Sequence, residues 1–171
     1  MTNAVNRGVK EGILFGLITG ALFAIMTVTS AAMTGDSLFS PFRMFASIVL
    51  GQVALESLES LPAGAIFCVG SIVHFVLSAA FGLVYGAVNA RFSAETQTHW
   101  GRQAGLGLLF GVVLWLVNFQ IIARIFYPWF LMTPQFLQMS LHALFFGLPL
   151  ALMYAGAERQ AHHLGHAPAP A

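Results

Sequence analysis

Four stretches of the chain run without a charged side chain: about Gly12 to Met33, Ala63 to about Asn89, about Gly105 to Ala123, and Pro134 to about Ala157. A ~30 Å hydrocarbon core takes about 20 helical residues to cross, and each stretch is of that order. Lipid offers the backbone no hydrogen-bond partner and four lone strands cannot close a barrel, so these stretches predict helices. The expected fold is all-α integral membrane: a four-transmembrane-helix bundle over residues 1–157. The chain then turns polar and Pro- and Ala-rich, which predicts a disordered cytoplasmic tail over 158–171.

The connections carry patterns of their own. After Asp36, Ser40 can cap a helix with Pro41 at its first position, and Phe42, Phe45, Ala46, Val49, Leu50 and Val53 recur with helical spacing. This predicts an interfacial helix in the first outer loop. Phe126-Tyr127-Pro128-Trp129-Phe130 in the second outer connection has the ring chemistry of an interface anchor. The first stretch resembles a signal peptide, with Arg7 and Lys10 ahead of it and Thr29-Ser30-Ala31 at its end. Its length argues against cleavage, as do Gly12, Gly16 and Gly20 at i, i+4, i+8, a spacing suited to close helix packing.

Composition agrees with the pattern: 58% of the 171 residues are hydrophobic and 8% charged. Water could not accommodate so much apolar surface at this size. The seven Lys and Arg are scattered, which excludes a nucleic-acid footprint. They do give an orientation. Arg7, Lys10, Arg91, Arg102 and Arg159 fall on one side, Arg43 and Arg124 on the other, so the first side is cytoplasmic and holds both termini. Cys68 is the single cysteine and reads as a small buried hydrophobe.

Written together, the first and third spans show a repeat. Arg7–Gly16 reads RGVKEGILFG and Arg102–Gly111 reads RQAGLGLLFG, converging on Gly-x-Leu-Phe-Gly; the second and fourth spans each add one histidine, His74 and His142. Two spans return the chain to its starting side, so the units are two parallel two-helix repeats. His74 precedes Arg91 by 17 positions and His142 precedes Arg159 by 17. At 1.5 Å per residue both sit about 25 Å above the cytoplasmic edge. Ser71, His74, Ser78, Gly82 and Tyr85 fall on one seam of the second span, and Gln135, Gln138, His142 and Pro149 on one seam of the fourth. The third span contributes Gly107, Gly111, Trp115 and Asn118. These polar stripes belong in the bundle interior. Gly12, Gly16, Gly20, Gly82, Gly86, Gly107 and Gly111 allow close backbone approach, within the bundle or to a partner subunit.

Two level histidines suit bis-imidazole ligation of haem b, a proton relay or polar cavity near the outer face, or plain interhelical hydrogen bonding. A metal site would need Asp36, Glu56 or Glu59 to reach in from the outer loop. His162, His163 and His166 in the tail offer at most loose metal binding. No catalytic residue is expected: there is no Gly-x-Ser-x-Gly elbow, no cysteine pair and no acidic residue deep in a span.

PFRMFASIVLG, HFVLSAAFGLVYG, GLLFGVVLWLVNFQIIA and HALFFGLPLALMY together resemble a group of small uncharacterised bacterial inner-membrane proteins, from the first span to Tyr154. Members sometimes carry a "sodium:proline symporter" label, which four spans do not support. The resemblance implies a multi-pass architecture in the bacterial cytoplasmic membrane and no activity. Three function classes stay open. The first is a non-enzymatic subunit or accessory protein that associates with a membrane-protein partner or with its own copies. The second is a haem b electron-transfer module on His74 and His142, and the third a small oligomeric channel or transporter.

Overall fold

The structure, a computed structural model, describes residues 2–56 and 62–165, and every regular element among them is helical. Glu59 and His166 lie outside the described residues. Four helices are long and apolar enough to cross a membrane: Lys10–Thr34, Ala63–Asn89, Trp100–Phe126 and Gln135–His162. They are the four expected stretches, and this is the build of a multi-pass membrane protein.

Helix ends follow from capping, which charge-free windows do not report. The third long helix starts at Trp100 instead of Gly105 because His99 precedes it, its Nδ1 accepting from the Arg102 backbone N–H at 3.3 Å. The fourth continues to Gly165, past Ala157, so residues 158–165, expected to be disordered, are helical and carry His162 and His163 on the last turn. The first stops at Gly35, whose φ of 78° is the left-handed conformation that ends helices. The Asp36 N–H then returns to the Ala31 carbonyl at 2.8 Å.

A helix over Ser40–Leu50 follows, as the Phe42, Phe45 and Val49 spacing predicted. Ser40 does not cap it. Phe39 occupies that position without a side-chain bond, and Ser37 Oγ instead accepts from the Phe39 N–H at 3.2 Å. The loop helix lies along the second long helix, with the Phe42 carbonyl where a Cβ on Gly70 would stand. Arg43 folds over the 3-10 turn Gly51–Leu55 and donates to the carbonyls of Ala54 and Glu56, which lets a cation sit in this apolar loop.

Between apolar helices in lipid, close packing and hydrogen bonds replace the hydrophobic drive. The first and second long helices meet where a Cβ on Gly82 would overlap the Gly12 carbonyl and one on Gly16 the Ser78 carbonyl. The third and fourth meet in the same way, Gly147 against the Gly107 carbonyl and Gly111 against the His142 carbonyl. Gly20 lies on the Ser78 side chain and Gly86 on the Tyr154 hydroxyl. All seven glycines singled out above therefore face neighbours in this same chain. Opposite them Ile13, Leu14, Ile25, Val76, Leu109 and Ile121 point outward and are exposed, a surface suited to lipid.

Candidate ligand cavity

A cavity of about 460 Å³ lies among the four long helices. It runs from Thr34, Asp36, Thr133 and Pro134 at one end of the bundle down to His74, His142 and Phe146. The loop helix covers one side through Ser40, Met44 and Phe45, and the second connection covers another through Tyr127 and Phe130.

His74 reaches its place because Gly20 leaves the facing carbonyl uncovered: His74 Nε2 donates to the Gly20 carbonyl at 2.8 Å. Its ring stacks on Phe45 at 4.4 Å and, at 5.8 Å, on Phe23. His142 Nδ1 donates to the Gln138 carbonyl one turn back at 2.7 Å, and its ring meets Phe23 edge-on at 4.7 Å and Phe119 at 5.7 Å. Both imidazoles thus touch one phenylalanine, at one level of the bundle.

Two departures from α geometry fall on this cavity. Leu116–Ile122 in the third helix and His142–Gly147 in the fourth are π-helical. They bring Asn118 and Phe119, and His142 and Phe146, to the cavity wall. Widened turns of this kind concentrate at functional sites.

The seam read from the sequence divides in the structure. Ser78, Asn118 and Gln138 line the cavity, and Ser78 Oγ also donates to the His74 carbonyl at 2.8 Å. Ser71 does not join them; it borders a shallow outer groove with Leu17 and Phe75. The buried row of the second helix runs Ile66, Gly70, His74, Ser78, Gly82, Gly86, an i, i+4 ridge on which Gly70 holds the place given to Ser71. Gln135 turns to its own helix start, its Nε2 donating to the carbonyls of Thr133 at 2.9 Å and Phe130 at 3.1 Å. Trp115 Nε1 is buried without a hydrogen-bond partner among the described residues.

Tyr85 belongs to a separate cluster nearer the Arg91 end. Its hydroxyl donates to Gln103 Oε1 at 2.7 Å, and Gln103 Nε2 donates to Asn89 Oδ1 at 2.8 Å. Gln103 was missed by reading the third span from Gly105, although it precedes Gly107 and Gly111 on the same i, i+4 row. Leu150 and Tyr154 pack into one core with Tyr85 of this cluster and Phe146 of the cavity wall, so the cavity has a floor.

The aromatic connection does more than meet an interface. Trp129 Nε1 donates to Ser47 Oγ at 2.8 Å, tying the second connection to the loop helix. Trp129→Phe keeps an aromatic ring, though a smaller one, and removes the donor; the lost hydrogen bond is expected to lower stability by about 1 kcal/mol. Ser47→Ala should match it and the double variant should add nothing further, read as thermal unfolding in mild detergent; additive losses would mean the two side chains do not act as a pair.

These residues do not suit a bis-imidazole iron. The Phe23 ring lies against both imidazoles, and an iron held between them would have to displace it. No group of three His, Cys, Asp or Glu stands together among the described residues. Asp36 at the mouth accepts from Thr34 Oγ1 at 3.2 Å, and Cys68 is exposed.

No known protein family, curated protein or solved structure matches this chain. Its own geometry is therefore the ground for a function.

Proposed function

We propose that this chain is a multi-pass protein of the bacterial cytoplasmic membrane that binds one amphipathic small molecule in the cavity above His74 and His142. The observation carrying this is a cavity of about 460 Å³, mostly apolar, with a few convergent polar side chains and a packed floor. Such a space among helices is the usual form of a small-molecule site. The distribution of Lys and Arg supports an outward mouth and cytoplasmic termini. The loop helix then lies at the outer interface, with Val49 and Phe39 exposed.

The matching contacts of Gly12 and Gly16 with the second helix and of Gly107 and Gly111 with the fourth support two repeated helix pairs. Association remains a weaker reading, since the glycine faces that suggested it are occupied within the chain. A channel along the seam is weaker too, because Tyr85, Phe146 and Tyr154 close the route below the histidines.

The test is a titration of the purified protein with N-phenyl-1-naphthylamine, an apolar dye that brightens in dry pockets. One saturable site per chain is expected, abolished in Leu137→Trp, which fills the cavity from its wall. A signal no greater than that of empty detergent micelles would end this reading.

A further inference from the structure

The two imidazoles are polarised by their own hydrogen bonds. A carbonyl oxygen only accepts, so the hydrogen is on Nε2 in His74, facing the Gly20 carbonyl, and on Nδ1 in His142, facing the Gln138 carbonyl. A neutral imidazole carries one N–H and one lone pair. The lone pairs are then on Nδ1 of His74 and Nε2 of His142, and neither nitrogen makes a hydrogen bond among the described residues. Two residues that line the cavity thus each carry one fixed acceptor, set by a backbone group that cannot reverse its role.

Asn118 and Gln138 line the same space with amides that both donate and accept. Aromatic rings share the remaining wall with aliphatic and hydroxyl side chains, and Phe23, Phe45, Phe119, Phe146, Tyr127 and Phe130 are among them. Rings in these positions favour another ring, packed edge-to-face or offset, over a saturated chain of equal size.

We infer that the cavity takes the hydroxylated aromatic head of a membrane-soluble phenol, with its ring among these phenylalanines and its hydroxyl donated to the free nitrogen of His74 or His142. This rests on the cavity being a binding site and names what that site selects. A phenol fits both halves of the wall. Its O–H supplies the hydrogen both imidazoles lack, its oxygen can accept from an amide N–H, and its plane suits the rings. A ketone, an ether or a quaternary ammonium has no hydrogen to give and leaves both lone pairs unmet.

The experiment is displacement of N-phenyl-1-naphthylamine from the full-length protein in mild detergent by three probes of similar length: 4-nonylphenol, its methyl ether 4-nonylanisole, and the straight-chain alcohol 1-tetradecanol. The phenol is expected to bind about tenfold tighter than the ether, the order of loss when a buried acceptor goes unmatched. It should also bind tighter than the alcohol. The preference over the ether is expected to fall to about twofold or less in the double variant His74→Phe, His142→Phe, which keeps the aromatic wall and removes both acceptors. The probe comparison is made on the wild-type protein, so it stands whether or not that variant folds. Equal displacement by phenol and ether would overturn the inference while leaving the cavity a binding site. Displacement by the alcohol as strong as by the phenol would overturn the part assigned to the rings. Failure of the dye itself to bind would remove both readings together.

Discussion

Gly82→Leu and Gly147→Leu are each expected to abolish the folded protein, with no monodisperse species recovered on size-exclusion chromatography in mild detergent. At both positions the first side-chain carbon would stand inside a facing backbone carbonyl, that of Gly12 for Gly82 and that of Gly107 for Gly147. A facing side chain can change rotamer; a facing carbonyl moves only with its whole helix. The cost is therefore at least about 3 kcal/mol at each site, the upper end for overpacking. Gly105→Ala supplies the contrast within the same GLGLLFG stretch. Nothing lies within 4 Å of the carbon it would add. An exposed helical glycine gains about 1 kcal/mol on becoming alanine, so that variant should unfold at a higher temperature than the wild type. Tolerance of leucine at Gly82 would mean that the first and second long helices do not meet along this row.

Gln103→Leu is expected to cost roughly 3 kcal/mol, because it strands two buried groups at once. The Tyr85 hydroxyl loses its acceptor and Asn89 Oδ1 loses its donor, in a cluster where Gln103 is 0% and Asn89 2% exposed. The Thr96 carbonyl, 3.2 Å from Gln103 Nε2, loses a partner as well. Tyr85→Phe removes only one end of the chain of bonds and should cost about 1 kcal/mol. Thermal unfolding of the two variants side by side checks the order. Equal stability of Gln103→Leu and wild type would mean that water reaches these groups.

The helices were legible because the bilayer makes a coarse demand: no charge for about 20 residues. Gly12, Gly16 and Gly20 were legible as a packing face because their spacing repeats at four. Which surface they meet was not, since a glycine row looks the same whether its partner is the next helix or another copy. The seam was half legible. His74 and Ser78 sit where the spacing put them, but from Ile66 to Gly82 the buried row advances by four residues, so Gly70 is buried and Ser71 borders the outer groove. Ser40 looked like a cap because it precedes Pro41, whereas the helix already includes it. The Trp129–Ser47 bond joins positions 82 residues apart, and no local pattern announces it. Gln103 could have been found by continuing the Gly107 row one step toward the N-terminus. The π-helical segments leave no mark in hydrophobic periodicity, because apolar residues fall on every face of these spans.

Rewinding either of those two segments to α geometry would turn part of the cavity wall. A π turn holds about one residue more than an α turn, and one residue of an α-helix is about 100° of screw. If Leu116–Ile122 or His142–Gly147 rewound to α geometry, side chains beyond the change would swing round their helix axis by up to that angle, with the helix still continuous. Asn118 and His142 stand within these turns and the glycine contacts of the first and second helices lie outside them. The third and fourth helices are locked as well, Gly147 on the Gly107 carbonyl and Gly111 on the His142 carbonyl, so a rotation of His142–Gly147 would have to release that lock. A one-residue shift of Leu116–Ile122 would instead change how Asn118 and Phe119 meet a ligand.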